Sequence, residues 1–173
     1  EGALRGTTHV ALTIHGGGLD TFQLDVPADL TVLDVNAAGL ARWELEEAAG
    51  ERRRLRVELA YRAQGSLGFS FDFERTLGDA SASLEVPDIA LVGVLRERGF
   101  VAVAAASNVE ITPRDRLVNA APIDPSELPA VLTAGGGEAV LYAFKHLRHP
   151  VEIPLDVVKH TDVAVKRTLV ERA

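Results

Sequence analysis

Three histidines and Asp162, all within the last thirty residues, are the side chains considered as metal ligands. His146 and His149 lie three residues apart, and His160 is followed closely by Asp162. Imidazole nitrogens and carboxylate oxygens are the ligands of zinc sites that contain no cysteine. These four residues are therefore the candidate metal ligands, and a metal-dependent hydrolase would use His146, His149 and Asp162.

The spacing of the three histidines argues against a shared site. Side chains three apart on a strand point to opposite faces, and His146 shares the phase of Tyr142 and Phe144 whereas His149 does not. His160 follows a further extended segment that spans roughly 25 Å at about 3.3 Å per residue. We therefore expect the imidazoles to stay apart and to make local hydrogen bonds, and we predict no catalytic, cofactor-binding or metal-binding residue and no cofactor.

Other patterns that carry catalysis do not occur in the sequence. The segment GSLG at residues 65–68 is not a nucleophile elbow, and the glycines at 135–137 follow a predicted helix, whereas a phosphate loop precedes one. Four aspartates are scattered through predicted turns without the spacing of a calcium loop, namely Asp20, Asp25, Asp29 and Asp34. The absence of cysteine excludes disulfides, thiol catalysis and cysteine-ligated zinc.

The elements that must position these side chains are strands, because apolar and polar residues alternate along most of the chain. Phe69, Phe71 and Phe73 lie two apart, and the segment 53–62 repeats the same pattern. A period of two places one set of side chains on a buried sheet face. The sequence predicts an all-β fold, an antiparallel two-layer β-sandwich in a compact or an extended form, with the three phenylalanines at its centre.

Glycine and proline indicate where the strands end. The glycines at 16–18 predict a hairpin turn between strands 7–15 and 21–26, and Pro27 ends the second of these. Segments 53–62 and 67–76 are predicted as separate strands, and 108–123 as a long loop with at most one strand. One short α-helix is predicted near 125–133, capped by Asp124 and stopped by the glycines at 135–137.

Composition restricts the class of protein. The 173 residues are enough for one ordinary domain or two tightly packed small ones, and with 47% hydrophobic and 25% charged residues the chain is globular. We assign it as a single β-sandwich domain over 1–173. The net charge of −7 disfavours nucleic acid as a partner, and no apolar run is long enough to form a transmembrane segment. The chain contains no methionine, so we expect a piece of a longer multi-module protein, with 162–173 leading into a following module.

Two groups of side chains have both a structural and a binding interpretation. The basic run Arg52 to Arg54 with Arg56 is interpreted as a solvated strand face beside acidic neighbours, with an anion or anionic lipid as the alternative. Trp43 shares the phase of Leu45, which favours the core. If Trp43 or Tyr142 were instead exposed on a concave face near paired carboxylates, the chain would be a carbohydrate-binding or carbohydrate-processing sandwich.

Four segments resemble parts of very large membrane-anchored bacterial proteins. They are GFVAVAAASNVE at 99–110, LYAFKHLRHP at 141–150, IPLDV at 153–157 and KHTDVAV at 159–165. In those proteins similar segments occur in extracytoplasmic β-rich regions. The resemblance implies a location in the periplasm or at the cell surface, and it implies no active site.

The function expected from these patterns is that of a non-enzymatic structural or interaction module of a larger bacterial extracytoplasmic protein. Its expected partners are other protein modules of the same or a neighbouring chain, with a glycan as a further candidate. The alternatives are the carbohydrate-binding or carbohydrate-processing sandwich and the metal-dependent hydrolase.

Overall fold

Strands form nearly all the regular structure, as the alternating residues predict. The computed structural model describes residues 2–78, 81–134 and 137–159. The prediction of an all-β class with antiparallel sheets is confirmed. The eleven strands are β1 (Gly2–Pro27), β2 (Thr31–Ala37), β3 (Leu40–Leu45), β4 (Arg52–Leu77), β5 (Ser81–Glu85), β6 (Ala90–Leu91), β7 (Gly99–Ala104), β8 (Val109–Pro113), β9 (Ala120–Ile123), β10 (Val140–His146) and β11 (Pro154–Lys159).

The chain divides into two compact units, each with its own apolar core. The first unit comprises Glu1–Leu77 and Pro87–Leu95, and the second comprises Gly78–Val86 and Arg96–Ala173. The expectation of a single domain over 1–173 stays a prediction. Residues 162–173, which are expected to lead into a following module, lie outside the described residues.

The first unit is built on the antiparallel pairing of β1 with β4. Their register extends from the pair Pro27 and Arg52 to the pair Gly2 and Leu77. β2 pairs with β4 along residues 69–74, and β3 pairs with β4 along residues 55–59. The pair is therefore the centre of two successive sheet halves, one extended by β2 and the other by β3.

An irregularity in the middle of the β1–β4 pair separates these two halves. The register shifts between Ile14 and Thr21, where Gly16 and Gly18 have φ of 90° and 39°. The Arg62 guanidinium donates to the carbonyl oxygens of Gly17 and Gly18 at 3.1 and 2.9 Å. The predicted hairpin turn is therefore wrong, because glycines at positive φ also form β-bulges that interrupt the pairing while the strand continues.

The core of the first unit joins the two halves. Phe69, Phe71 and Phe73 are only 5%, 1% and 8% exposed, which confirms that they share one buried face. The ring of Phe22, from the half that carries β3, lies 6.0 Å from the ring of Phe69 in the other half. The continuous sheet thus folds over on itself and buries one face between its halves, as in a sandwich.

The second unit contains two three-stranded antiparallel sheets. Their strand orders are β7-β10-β9 and β5-β11-β8. Phe144 of the first sheet and Leu155 of the second belong to one core, together with the fully buried Ile153. The segment 108–123, predicted as a loop with at most one strand, contains both β8 and β9.

The predicted helix near 125–133 is present but divided. A 3-10 turn covers Pro125–Glu127 and a single α-helical turn, α1, covers Ala130–Thr133. Leu128 between them is extended, with φ −67° and ψ 145°. Pro129 accounts for the break, because a proline pushes the residue before it out of the helical region. The continuous two-turn helix expected from the sequence is therefore wrong.

We expect Phe71→Ala to lower the free energy of unfolding by about 3–5 kcal/mol, because it removes a fully buried ring from the core. Equilibrium denaturant unfolding measures the change. The control is Tyr61→Ala on the same strand. Because Tyr61 is 45% exposed, this variant should lose clearly less free energy of unfolding than Phe71→Ala. Equal losses in the two variants would show that the phase of β4 is misassigned.

The Asp124 cap gives a second prediction. Its carboxylate accepts hydrogen bonds from the hydroxyl and the backbone N–H of Ser126 at 2.6 and 2.8 Å, and Glu127 completes a capping box. These bonds hold the pKa of the Asp124 carboxyl below its ordinary value of 3.8. The ionised cap therefore stabilises the fold above that value, and the contribution is lost as the pH falls through the folded pKa.

We accordingly expect Asp124→Ala to lower the thermal unfolding midpoint at neutral pH, and the difference from the parent to shrink below about pH 4. Thermal unfolding followed by circular dichroism at several pH values measures it. Asp115→Ala, which removes an exposed carboxylate of the same unit, is the control. If the difference in unfolding midpoint between Asp124→Ala and the parent stayed constant down to pH 2, the role of the Asp124 charge would be contradicted.

Candidate metal centre

The pairing of β7 with β10 brings together side chains that are almost fifty residues apart in the sequence. His146 is the last residue of β10, and its pairing partner is Gly99, the first residue of β7. Glu97 precedes Gly99 by two residues and therefore lies beside the end of β10. His149 follows in the bend after β10, so all three side chains meet at one end of this sheet.

The three side chains are close enough to share an ion. One possible ligand atom from each of Glu97, His146 and His149 lies within 4.8 Å of the other two. The His149 Nε2 atom is 2.8 Å from the Glu97 Oε1 atom, and these two side chains are 19% and 18% exposed. The rings of His146 and His149 have centroids 5.1 Å apart at an interplanar angle of 64°.

The prediction that His146 and His149 stay apart is wrong. It rested on the period of two, which holds only while the chain remains a strand. β10 ends at His146, and residues 147–149 form a bend that turns His149 back beside His146. The other two candidates, His160 and Asp162, lie outside the described residues.

Glu97 was missed because nothing local distinguishes it. It stands between Arg96 and Arg98 in a segment without an alternating pattern. Only the pairing of Gly99 with His146 places it at the site. Glu97 could have been found only if β7 and β10 had been recognised as antiparallel neighbours with Gly99 opposite His146. The residue two positions before Gly99 is then expected beside the end of β10.

Gly99 makes room for the imidazole of His146. A Cβ atom at position 99 would overlap the Nε2 and Cε1 atoms of that ring. The backbone of Gly99 is ordinary extended strand, so the requirement is for space and not for a special conformation. The ring of His146 therefore lies over the backbone of β7 at a place where another residue would displace it.

Asn119 holds the bend that carries His149. Its side-chain Nδ2 donates to the carbonyl oxygen of Pro150 at 2.7 Å, and its Oδ1 accepts from the Arg148 Nε at 2.9 Å. One side chain thus fixes the residues on both sides of His149. Asn119 itself has φ of 54°, a left-handed conformation that asparagine adopts more readily than most residues.

The nearest cationic residues in the sequence are more exposed than the cluster. Arg96, Arg98, Lys145 and Arg148 are all exposed, whereas Glu97 and the two histidines are partly buried. Solvent screens charges in that position strongly. The cluster therefore combines one carboxylate with two imidazoles in a less exposed position than the neighbouring guanidinium groups.

The four scattered aspartates have other partners. Asp25 accepts from the Arg54 Nε at 2.7 Å, and Asp29 lies 2.9 Å from the Arg75 Nε. The Asp34 carboxylate accepts from the backbone N–H of Val35, and that of Asp20 accepts from Thr21. Among the described residues, Glu97, His146 and His149 are the one group of three that could hold a metal.

Two residues of the basic run contact carboxylates, as its structural interpretation predicts, whereas Arg52 and Arg53 donate to the backbone carbonyl oxygens of Asp25 and Glu46. Arg54 contacts Asp25, and the Arg56 Nε lies 3.2 Å from a carboxylate oxygen of Glu58. Hydrogen bonding from Arg42 at 2.6 Å, followed by its charge and that of Arg56, holds the pKa of Glu58 below its ordinary value. These guanidinium groups therefore face carboxylates of the same sheet.

The two aromatic residues considered for a glycan surface pack against the cores. Trp43 is partly buried against the core of the first unit, in agreement with its strand phase. Tyr142 is partly buried against the core of the second unit. Their packing supports the core interpretation and gives no observation in favour of a carbohydrate platform.

Comparison with known protein families, with characterised proteins and with solved structures gave no match to this chain. Within the described residues, no helix has the length and apolar character needed to cross a membrane. The class that the fold and the cluster define is therefore an all-β protein with antiparallel sheets and a histidine–carboxylate cluster at one sheet end.

We expect Gly99→Ala to displace the ring of His146 from β7, because the added methyl group occupies the position of the ring. The measurement is the pair of ring C–H resonances of each histidine in ¹H–¹³C spectra. Those of His146 and His149 should shift, and those of His9 in the first unit should not. Gly137→Ala is the control, since no atom lies within 4 Å of a Cβ there. Unchanged His146 resonances would contradict the packing.

Proposed function

We propose that this chain is a non-enzymatic interaction module of a larger bacterial extracytoplasmic protein. We propose further that it binds a neighbouring module of that protein by accepting a strand along the outer edge of β1. The single observation that carries the proposal is the length of this edge. Residues 2–14 of β1 pair with β4 on one side and with no described strand on the other.

The edge of β1 that faces away from β4 is covered only near the C-terminal end of the strand. β6 pairs with Leu24 and Asp25, and the backbone N–H of Val92 donates to the carbonyl oxygen of Gln23 at 3.0 Å. The register with β4 is regular from Gly2 to Ile14, so this part of the strand is straight enough to act as a template. Its outward backbone groups form a continuous row of donors and acceptors.

This edge has few of the features that normally prevent pairing with another chain. Natural edge strands are protected by proline, lysine, bulges or short length. Residues 2–14 contain no proline and no lysine, and Arg5 is their one formally charged side chain at neutral pH. An edge of this kind either associates unspecifically with other chains or pairs with a specific partner strand. An interaction module requires a specific partner strand.

The occupant that fits is an extended segment of another module. In strand addition the main-chain hydrogen bonds supply affinity, and alternate side chains supply specificity. The location outside the cytoplasm is supported by the resemblance of segments 99–110 and 141–150.

The test uses two adjacent proline variants, Thr8→Pro and His9→Pro. Consecutive N–H groups of a strand point to opposite edges, so one variant removes a donor to β4 and the other removes a donor from the open edge. Thermal unfolding distinguishes them, because the loss of a bond to β4 is the more destabilising change. The less destabilised variant is the edge variant.

Each protein is then titrated with the modules encoded on either side of this segment, with amide resonances as the readout. We expect shifts in residues 2–14, and binding at least about tenfold weaker in the edge variant, which corresponds to the loss of one or two hydrogen bonds. Equal affinity in parent and edge variant would overturn the proposal. Concentration-dependent shifts of the chain alone would identify a second copy as the occupant and would also overturn it.

A further inference from the structure

We propose that Glu97, His146 and His149 form a binding site for one divalent transition-metal ion, and zinc is the ion used to test it. The proposal is independent of the edge of β1, because all three residues belong to the second unit. It assigns a binding site and no reaction. The argument has four parts: the distances, the donor atoms, the supporting residues and the local charge.

The distances allow a common ion position. Since the three ligand atoms lie within 4.8 Å of one another, a point exists within about 2.8 Å of all of them. Zinc requires about 2.0–2.2 Å to nitrogen and oxygen ligands. Each side chain therefore has to move inward by under an ångström, which small rotations of the side-chain torsions provide.

The donor atoms favour a divalent transition-metal ion over the common alternatives. Two imidazole nitrogens and one carboxylate oxygen form a ligand set found in open zinc sites, in which a water or a further ligand takes the fourth position. Calcium and magnesium prefer oxygen ligands, and copper(I) prefers sulfur. The hydrogen bond between His149 and Glu97 would be replaced by bonds to the ion.

The supporting residues hold the ligands in place before any ion binds. Asn119 fixes the bend on both sides of His149, and Gly99 provides the space in which the His146 ring lies. Residues that orient metal ligands through hydrogen bonds usually affect affinity strongly. The site is therefore ordered before an ion binds, which lowers the entropy lost on binding. Its three parts are the end of β10, the bend that follows it and the segment before β7.

The local charge permits a cation. Glu97 supplies one negative charge within the cluster, and the cationic sequence neighbours Arg96, Arg98, Lys145 and Arg148 are exposed, where water screens their charge. The two histidines are partly buried beside this carboxylate. An ion of charge +2 would thus contact a carboxylate that is less exposed than the neighbouring cationic side chains.

The experiment is a calorimetric titration of the full chain, prepared without a histidine tag, with zinc chloride. We expect one ion per chain with a Kd below about 10 µM. His146→Ala, His149→Ala and Glu97→Gln should each weaken binding by at least about tenfold. His9→Ala and His15→Ala remove exposed histidines of the first unit and should leave the affinity unchanged.

A second measurement distinguishes this site from adventitious binding. Zinc should shift the ring resonances of His146 and His149, and it should raise the thermal unfolding midpoint of the parent but not of Glu97→Gln. If a histidine variant fails to fold, Glu97→Gln decides the question, because it keeps the shape of the side chain. No saturable binding, or equal weakening in the His9→Ala control, would overturn the proposal.

Discussion

The pairing of β1 with β4 is the constraint on which the first unit depends. Each strand has 26 residues, and the two remain partners on both sides of the irregularity between Ile14 and Thr21. Because of this continuity, one pair supplies the central strands of both sheet halves and brings Phe22 against Phe69. β2 and β3 each lie along β4, and β6 along β1. The bulge is therefore as important to the core as the apolar side chains themselves.

The strand content and the buried phase of Phe69 to Phe73 could be predicted from sequence, because alternation is a local signal that burial enforces. The lengths of the strands could not. Glycines at positive φ occur in hairpin turns and in bulges alike, and only the partner strand decides which of the two forms. The divided helix was predictable in principle, because Pro129 disfavours a helical conformation at Leu128, whereas the cap at Asp124 and the glycines at 135–137 indicate only where a helix begins and ends.

Of the candidate centre, the sequence identified His146 and His149 as possible ligands but predicted the wrong geometry. The period of two was extended three residues past the end of β10, where backbone hydrogen bonding no longer fixes the direction of a side chain. Glu97 could not be found, since its position depends on the antiparallel register between β7 and β10. Sites at the ends of strands generally combine residues in this way, with one ligand set by the strand and the others by loops that local patterns do not describe.

The register of β1 with β4 also implies an order in which the first unit forms. The pair of Pro27 and Arg52 joins positions much closer in the chain than the pair of Gly2 and Leu77. Closing a short loop costs less entropy than closing a long one, and each later pair then extends a ladder already begun. We infer that the sheet zips from the Pro27 end towards Gly2, so that its N-terminal pairs form last and open first. Amide exchange should accordingly be fastest near Gly2 and slowest near Leu24, and uniform protection along β1 would contradict this order.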